Sequence, residues 1–104
     1  MHALFAPLLA LLLLAPAGGW LGVYLAADQE RAVVAEVIPG SPAAEAGVQI
    51  GDRLLAIDGK AVSDLDPAAV EEMLWGPAGG QIELAIQRGD ARSQHRLTRR
   101  DLLR

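Results

Sequence analysis

The sequence predicts a small α+β domain of five to six β-strands and two helices, preceded by an apolar leader. First, β-rich runs end at proline or glycine, and residues 81–87 alternate as a half-buried strand does. Second, Ser41-Pro42 and Asp66-Pro67 each place a capping side chain before a proline at the first helical position. Third, residues 1–17 form the leader, and the 104 residues leave room for one domain behind it.

Residues 1–17 are typical of an export signal. An uncharged apolar run covers residues 3–14, and Ala15-Pro16-Ala17 supplies the small side chains that signal peptidase requires. No Lys or Arg precedes the run, however, and apolar residues continue to Ala27, far enough to span a bilayer with about 20 residues. We therefore expect a cleaved signal peptide or an uncleaved signal-anchor. A single domain at residues 18–104 is expected to be exported to the periplasm or the exterior, with membrane contact only through an uncleaved leader.

The charge of the chain is unevenly distributed. Residues 88–104 carry six arginines and two aspartates, +4 in sum, so the residues before them carry −8 and the whole chain −4. The basic end has two interpretations: a patch for an acidic partner or an anionic lipid, or a solvent-facing strand with outward arginines. The acidic remainder argues against nucleic acid as a partner.

The most informative stretch is residues 37–62, VIPGSPAAEAGVQIGDRLLAIDGKAV. A strand ends at Pro39-Gly40, a helix of little more than one turn starts at Ser41 and closes at Gly47, and a second strand ends in the tight-turn pair Asp58-Gly59. This ordered pattern resembles the centre of a bacterial PDZ domain. It is most similar to the PDZ domains of carboxyl-terminal processing and HtrA-type envelope proteases, without their protease domain. The resemblance implies a small, partly open β-barrel or sandwich.

The same resemblance implies a binding loop near the start of the domain. Trp20-Leu21-Gly22-Val23 matches the family's carboxylate-binding loop, x-apolar-Gly-apolar, in which backbone N–H groups converge on an anion. The strand after it would accept an extended peptide as an additional strand, and the helix from Pro67 would form the other wall of the groove. The implied peptide-binding residues are Trp20, Leu21, Gly22, Val23, Tyr24, Leu25, Val70 and Leu74.

The second helix presents one apolar face. Val70, Met73 and Leu74 share this face at i, i+3, i+4 spacing, whereas Glu71 and Glu72 are predicted to point elsewhere. Part of the apolar face must cover the core. The sequence does not apportion its residues between core and groove.

Trp75 follows this helix at a position where the PDZ domains of carboxyl-terminal processing proteases usually carry a basic residue. A tryptophan there can pack on the core or lie exposed as a contact residue. Both interpretations are compatible with the sequence.

Catalytic chemistry is not expected from these residues. His2 lies in the leader and His95 in the last predicted strand, residues 94–99, so neither is placed for a serine triad. The chain has no G-x-S-x-G motif. Lys60, the only lysine, lies in a hairpin turn without a fixed serine partner. The chain has no cysteine, and its histidines and carboxylates lack metal-ligand spacing, so no metal or other cofactor is expected.

Three functional classes follow from the resemblance. The first is an envelope module that binds extended peptides or protein C-termini whose last residue is apolar. The second is a membrane-tethered scaffold or secretion-system component that contacts another protein's folded surface. The third is a regulatory partner of a separately encoded protease.

Overall fold

The computed structural model describes residues 19–28 and 31–101, so the leader at residues 1–17 lies outside the described residues. Among the described helices, none combines the length and hydrophobicity needed to cross a bilayer. The elements in chain order are β1 (Gly19–Trp20), β2 (Val23–Asp28), β3 (Arg31–Val37), α1 (Pro42–Glu45), β4 (Arg53–Ile57), β5 (Lys60–Ala61), a 3-10 helix (Val62–Asp64), α2 (Pro67–Leu74), β6 (Gln81–Arg88), β7 (Ala91–Thr98) and β8 (Arg100–Asp101).

Six strands form one antiparallel sheet in the order β2-β3-β4-β6-β7, with β5 paired to β4. The short strands β1 and β8 pair with each other in a separate two-stranded sheet. Within the part of the chain that the structure describes, β2 and β7 are therefore the two edges of the larger sheet. This open antiparallel sheet with two helices confirms the predicted fold class.

The predicted turns and caps are confirmed where local chemistry specifies them. Ser41 Oγ accepts a hydrogen bond from Ala44 N at 3.2 Å, and Asp66 Oδ1 accepts one from Ala69 N at 2.9 Å, so both helices begin at the predicted caps. In the hairpin between β4 and β5, Asp58-Gly59 has φ of 49° and 83°. This pair of positive φ values suits the right-handed twist of the flanking strands.

The core lies between the inward face of the sheet and the two helices. Alternation along β6 buries Ile82, Leu84 and Ile86, each at most 2% exposed. The buried apolar cluster comprises Leu21, Val23, Leu25, Val34, Ala43, Val48, Leu54, Ile57, Val70, Leu74, Ile82, Leu84, Ile86 and Leu97.

The last long strand is longer than the sequence predicts. The sequence predicts it at residues 94–99, but β7 runs over Ala91–Thr98 and pairs with all eight residues of β6. Only Leu97 of this strand is fully buried. Its extent therefore depends on the hairpin register with β6, which a hydrophobic pattern does not reveal.

An ion pair between the buried Asp52 and the exposed Arg88 joins the turn before β4 to the end of β6. Asp52 is 1% exposed and accepts hydrogen bonds from Gln49 N at 2.8 Å and from Arg88 Nε and Nη2 at 2.7 and 2.8 Å. Arg88 Nη2 also donates to Gly47 O at 2.9 Å. Burial raises the pKa of Asp52, but the hydrogen bonds from Arg88 and Gln49 N outweigh it and hold the pKa below its ordinary 3.8.

The second helix corrects one prediction from the sequence. Glu72 is exposed as expected, but Glu71 is only 4% exposed and buried together with Val70 and Leu74. At about 100° per residue, Leu74 lies between Val70 and Glu71 around the helix, so the covered arc is wider than a single apolar stripe. Neither carboxylate oxygen of Glu71 has a hydrogen-bond partner among the described residues. Burial raises the pKa of Glu71 from 4.5 to about 7.

Replacing Asp52 tests this ion pair. Asp52→Ala is expected to lower the free energy of unfolding by about 1–3 kcal/mol at pH 7, because it removes the acceptor of three partly buried hydrogen bonds. The stabilisation is present above pH 3.8 and is lost as the pH falls through the lowered pKa of the folded state. Urea denaturation at pH 7 and pH 2 measures both effects. The exposed Asp64→Ala is the control, and equal losses in the two variants would contradict the prediction.

Glu71 is expected to make the protein less stable as the pH rises from 4.5 to about 7, because the folded chain binds its proton more tightly than the unfolded chain. The full loss is on the order of 3 kcal/mol. Urea denaturation of Glu71→Gln across this range should show that slope removed. Glu72→Gln should retain it, and an unchanged slope in Glu71→Gln would show that another group is responsible.

Candidate functional site

The loop between β1 and β2 requires glycine at position 22. Gly22 has φ +82°, in the left-handed region, and a Cβ there would collide with Ser41 Cβ and Oγ. Ser41 is 1% exposed and caps α1. The loop is therefore packed directly on the beginning of α1.

Two backbone hydrogen bonds hold the same loop in place. Ile38 N donates to Gly22 O at 2.8 Å, and Ala43 N donates to Leu21 O at 2.9 Å. The carbonyls of the loop are thus turned towards the body of the domain. By contrast, the backbone hydrogen bonds between described residues outside the helices and strands include none donated by Leu21 N or Gly22 N.

The strand that follows the loop is the first edge of the larger sheet. β2 pairs with β3, from Val23 opposite Val37 to Asp28 opposite Arg31, and has no second partner strand within the described residues. The side chains of Val23 and Leu25 are 7% and 1% exposed. A register shift lies between Tyr24 and Leu25.

The structure brings most of the predicted binding residues into one cluster. Leu21, Val23 and Leu25 from the loop and β2 belong to the same buried apolar cluster as Val70 and Leu74 from α2. Trp20 and Tyr24 are half-buried and lie outside that cluster. Their participation in binding, like that of the other predicted residues, stays a prediction.

A separate open pocket of about 400 Å³ is lined by residues of α1, of β7 and of the segment that follows β7. It is lined by Pro42, Glu45, Ala46, Arg96, Leu97, Thr98, Arg99 and Arg100. The Gly22 loop and β2 do not line it. Strand addition requires an open sheet edge and no cavity. The position of this pocket is therefore no evidence for or against peptide binding at the edge of β2.

The end of α2 is capped by a side chain that sequence reasoning missed. Arg99 Nε donates to Leu74 O at 3.0 Å, and Arg99 Nη2 donates to Met73 O at 2.9 Å. A cation at this end also complements the helix dipole. Trp75 is half-buried and packs on the apolar cluster, which favours the core interpretation of this residue. No local pattern could reveal Arg99, because it lies 25 residues beyond Leu74.

Other arginines of the basic end also contact the body of the domain. Arg100 Nη1 donates to Gly40 O at 2.8 Å, and Arg100 Nη2 donates to Glu45 Oε1 at 2.7 Å. Arg92 and Arg96 are exposed on β7. Neither interpretation of the basic end therefore applies to all of its arginines. Arg92 and Arg96 are exposed, whereas Arg99 and Arg100 form hydrogen bonds with the end of α2 and with α1 and the residue Gly40.

His95 is hydrogen-bonded on both sides of its ring. Ser93 Oγ lies 2.9 Å from His95 Nε2, and Ala46 O lies 2.7 Å from His95 Nδ1. Since a carbonyl only accepts, neutral His95 carries its proton on Nδ1 and accepts from Ser93 through Nε2. In the series Ser93, His95 and Ala46 O, the last group is a backbone carbonyl, and its hydrogen bond with His95 joins β7 to the end of α1. Within residues 19–28 and 31–101, no group of three or more His, Cys, Asp or Glu side chains could hold a metal ion.

Known proteins similar to this chain share its central region. A sequence profile of the PDZ domain matches residues 33–88. The C-terminal processing peptidase of Tetradesmus obliquus, a chloroplast protein, is 38% identical over 64 residues, which cover 62% of this chain and 14% of that protein. The carboxy-terminal-processing protease of Bartonella bacilliformis is 37% identical over 70 residues, covering 67% of this chain and 16% of the relative. The chain thus spans only a small part of these relatives, and their protease domains lie outside the match.

Solved structures agree with the profile. The photosystem II D1 C-terminal processing protease superposes with a TM-score of 0.71 at 31% identity, over 81% of this chain and 23% of that one. The PDZ domain of the Vibrio cholerae carboxy-terminal protease, solved with a peptide, has the same fold, with a TM-score of 0.71 at 19% identity over 83% of this chain and 96% of that domain. Because the profile covers more than half of the sequence and the sheet order, caps and glycine loop accompany it, the chain belongs to the PDZ domain family.

Proposed function

We propose that this chain is a non-catalytic envelope module that binds extended peptide segments or protein C-termini as an additional strand on β2. The observation that carries the proposal is the position of β2, an edge strand that begins directly after the Gly22 loop. An edge strand presents backbone N–H and C=O groups to an incoming chain, which can then extend the sheet.

The loop supports recognition of a terminal carboxylate. Its carbonyls are bonded to Ile38 N and Ala43 N, so they do not compete for the space in front of the loop. The left-handed Gly22 allows successive N–H groups to converge, as they do in backbone nests that accept anions. We therefore assign Leu21, Gly22 and Val23 to the carboxylate and the edge of β2 to the residues before it.

The apolar cluster supports the preference for an apolar last residue. Val23, Leu25, Val70 and Leu74 supply the side chains between which a terminal valine or leucine would be held. These residues are at most 7% exposed, so a ligand's side chain would enter by a small separation of β2 and α2. Trp20 and Tyr24, both half-buried, would border the bound peptide.

The relatives support the same class of ligand and location. The similar Vibrio cholerae PDZ domain was solved with a peptide, and an HtrA-type protease with a similar fold was solved with a decapeptide. The predicted leader and the processing proteases among the relatives favour an exported location, periplasmic or extracellular. In that location the module would bind a protein partner, and an envelope protease is one candidate.

Matched peptides test the carboxylate assignment. The full-length chain is titrated with peptides that end in Val, Leu or Ala, each as the free acid and as the amide. We expect the acids to bind at least about tenfold more tightly, because an amide lacks the charge that the loop N–H groups accept. Equal affinity of acid and amide would contradict the loop assignment, and failure of every peptide to bind would contradict the proposed function.

Two glycine variants test the loop itself. Gly22→Ala is expected to lower the affinity for free-acid peptides by at least about tenfold, because the added Cβ collides with Ser41 and displaces the loop. Gly40→Ala is the matched control, because Gly40 also has a positive φ, +77°, but has open space around the position of a Cβ. Calorimetric titration of both variants, with thermal unfolding as the check on folding, separates backbone strain from loss of the site. Equal weakening by the two substitutions would contradict the role of the loop.

A further inference from the structure

Helix α2 carries a buried carboxyl group that the fold does not use. Glu71 is 4% exposed, and both of its carboxylate oxygens lack a hydrogen-bond partner among the described residues. A buried polar group without a partner costs free energy, and it calls for a proton, a water molecule or a ligand. Since α2 is also a wall of the proposed groove, a group of the bound ligand is a candidate partner for Glu71, and this alternative can be tested.

We propose that Glu71 determines ligand specificity, and that its carboxylate receives a lysine or arginine side chain located two residues before the C-terminus of the bound peptide. This inference rests on the proposed function, because it assigns a selectivity role within the same groove. It goes beyond that function by requiring a basic residue in the ligand, which the apolar side chains of the groove would not select by themselves.

The position of Glu71 on the helix supports this role. Leu74 follows it by three residues, which is about 4.5 Å along the axis and about 60° around it. Val70 lies on the other side of Leu74, and both are 3% exposed. Glu71 therefore borders the apolar face of α2 that contains the two predicted groove residues, on the opposite side from the half-buried Met73.

Among the described residues, no cation is paired with the Glu71 carboxylate. Arg99 is bonded to the same helix, but its guanidinium donates to Leu74 O and Met73 O and not to Glu71. The adjacent Glu72 is exposed and has the same sign of charge. Burial is the cause of the raised pKa of Glu71. The acidic remainder of the chain adds a field that attracts basic peptides.

The geometry of strand addition specifies the ligand position. Alternate side chains of an extended peptide point to the same side and are about 6.8 Å apart. With the terminal side chain against Leu74, the next one on the helix side belongs to the third-last residue and reaches the level of Glu71 and Val70. The methylene groups of a lysine can lie along Val70 while its ammonium group reaches the carboxylate. A protonated Glu71 then releases its proton to solvent and the ion pair forms.

Peptides that differ at one position test the inference. The full-length chain is titrated with free-acid peptides ending in Val that carry Lys, norleucine or Gln at the third-last position, and with Lys moved to the second-last or fourth-last position. We expect Lys at the third-last position to bind about tenfold more tightly than norleucine, and Glu71→Gln to abolish that difference. Glu72→Gln should retain it, because Glu72 is exposed and points away from the buried face.

Proton release provides a second readout that a merely structural role would not change. Calorimetry at pH 7 in two buffers of different ionisation enthalpy should show release of about half a proton with the Lys peptide, and none with Glu71→Gln. Glu71→Met serves as a second variant should Glu71→Gln fold poorly. Three results would overturn the inference while leaving the proposed function intact. All free-acid peptides could bind without a preference for Lys, the preference for Lys could survive in Glu71→Gln, or it could be strongest at a neighbouring position of the peptide. Failure of all peptides to bind would instead contradict the proposed function.

Discussion

Gly22 packs directly against Ser41 at the point where the chain leaves β3 and begins α1. A side chain at position 22 would not fit, and its φ of +82° would strain any residue other than glycine. Ser41 at the same time caps α1, so one buried contact positions the loop, the helix and the first residue of β2. Because Ile38 N and Ala43 N bind the loop carbonyls, the loop is held from its inner side. The edge strand that follows therefore begins from a backbone with little freedom to move.

Elements outside the proposed site supply the scaffold. The PDZ profile matches residues 33–88, which include the capped helix α1 and the Asp52–Arg88 ion pair but not the loop at residues 20–23. Asp52 and Arg88 join the turn before β4 to the end of β6, and Arg99 holds the end of α2. The stretch that identifies the family is thus different from the stretch proposed to bind a ligand. The two meet where Ser41 contacts Gly22.

Glu71 connects stability to the proposed binding. A buried carboxyl group with a pKa of about 7 is expected to destabilise the folded chain near neutral pH, and a ligand cation would offset that cost. The sequence pattern did not reveal the burial of this residue, because the apolar spacing on α2 indicates a single face of Val70, Met73 and Leu74. The spacing of Glu71 from Leu74, three residues, already placed the two side chains near each other. What the spacing did not contain was the tertiary packing that leaves Glu71 only 4% exposed.

The sequence by itself determined the features that depend on neighbouring residues. The Ser41 and Asp66 caps, the Asp58-Gly59 turn and the alternation of β6 each follow from residues a few positions apart, whose conformational preferences act without the rest of the chain. The order of these signals also sufficed to indicate the fold family. Only the tertiary structure decided the burial of Glu71, the extent of β7 and the contacts of Arg88, Arg99 and Arg100. The arginine contacts of Arg88, Arg99 and Arg100 span 25 to 60 residues, and the extent of β7 depends on its register with β6. Such contacts exist only once hairpin register and helix packing have brought separate segments together.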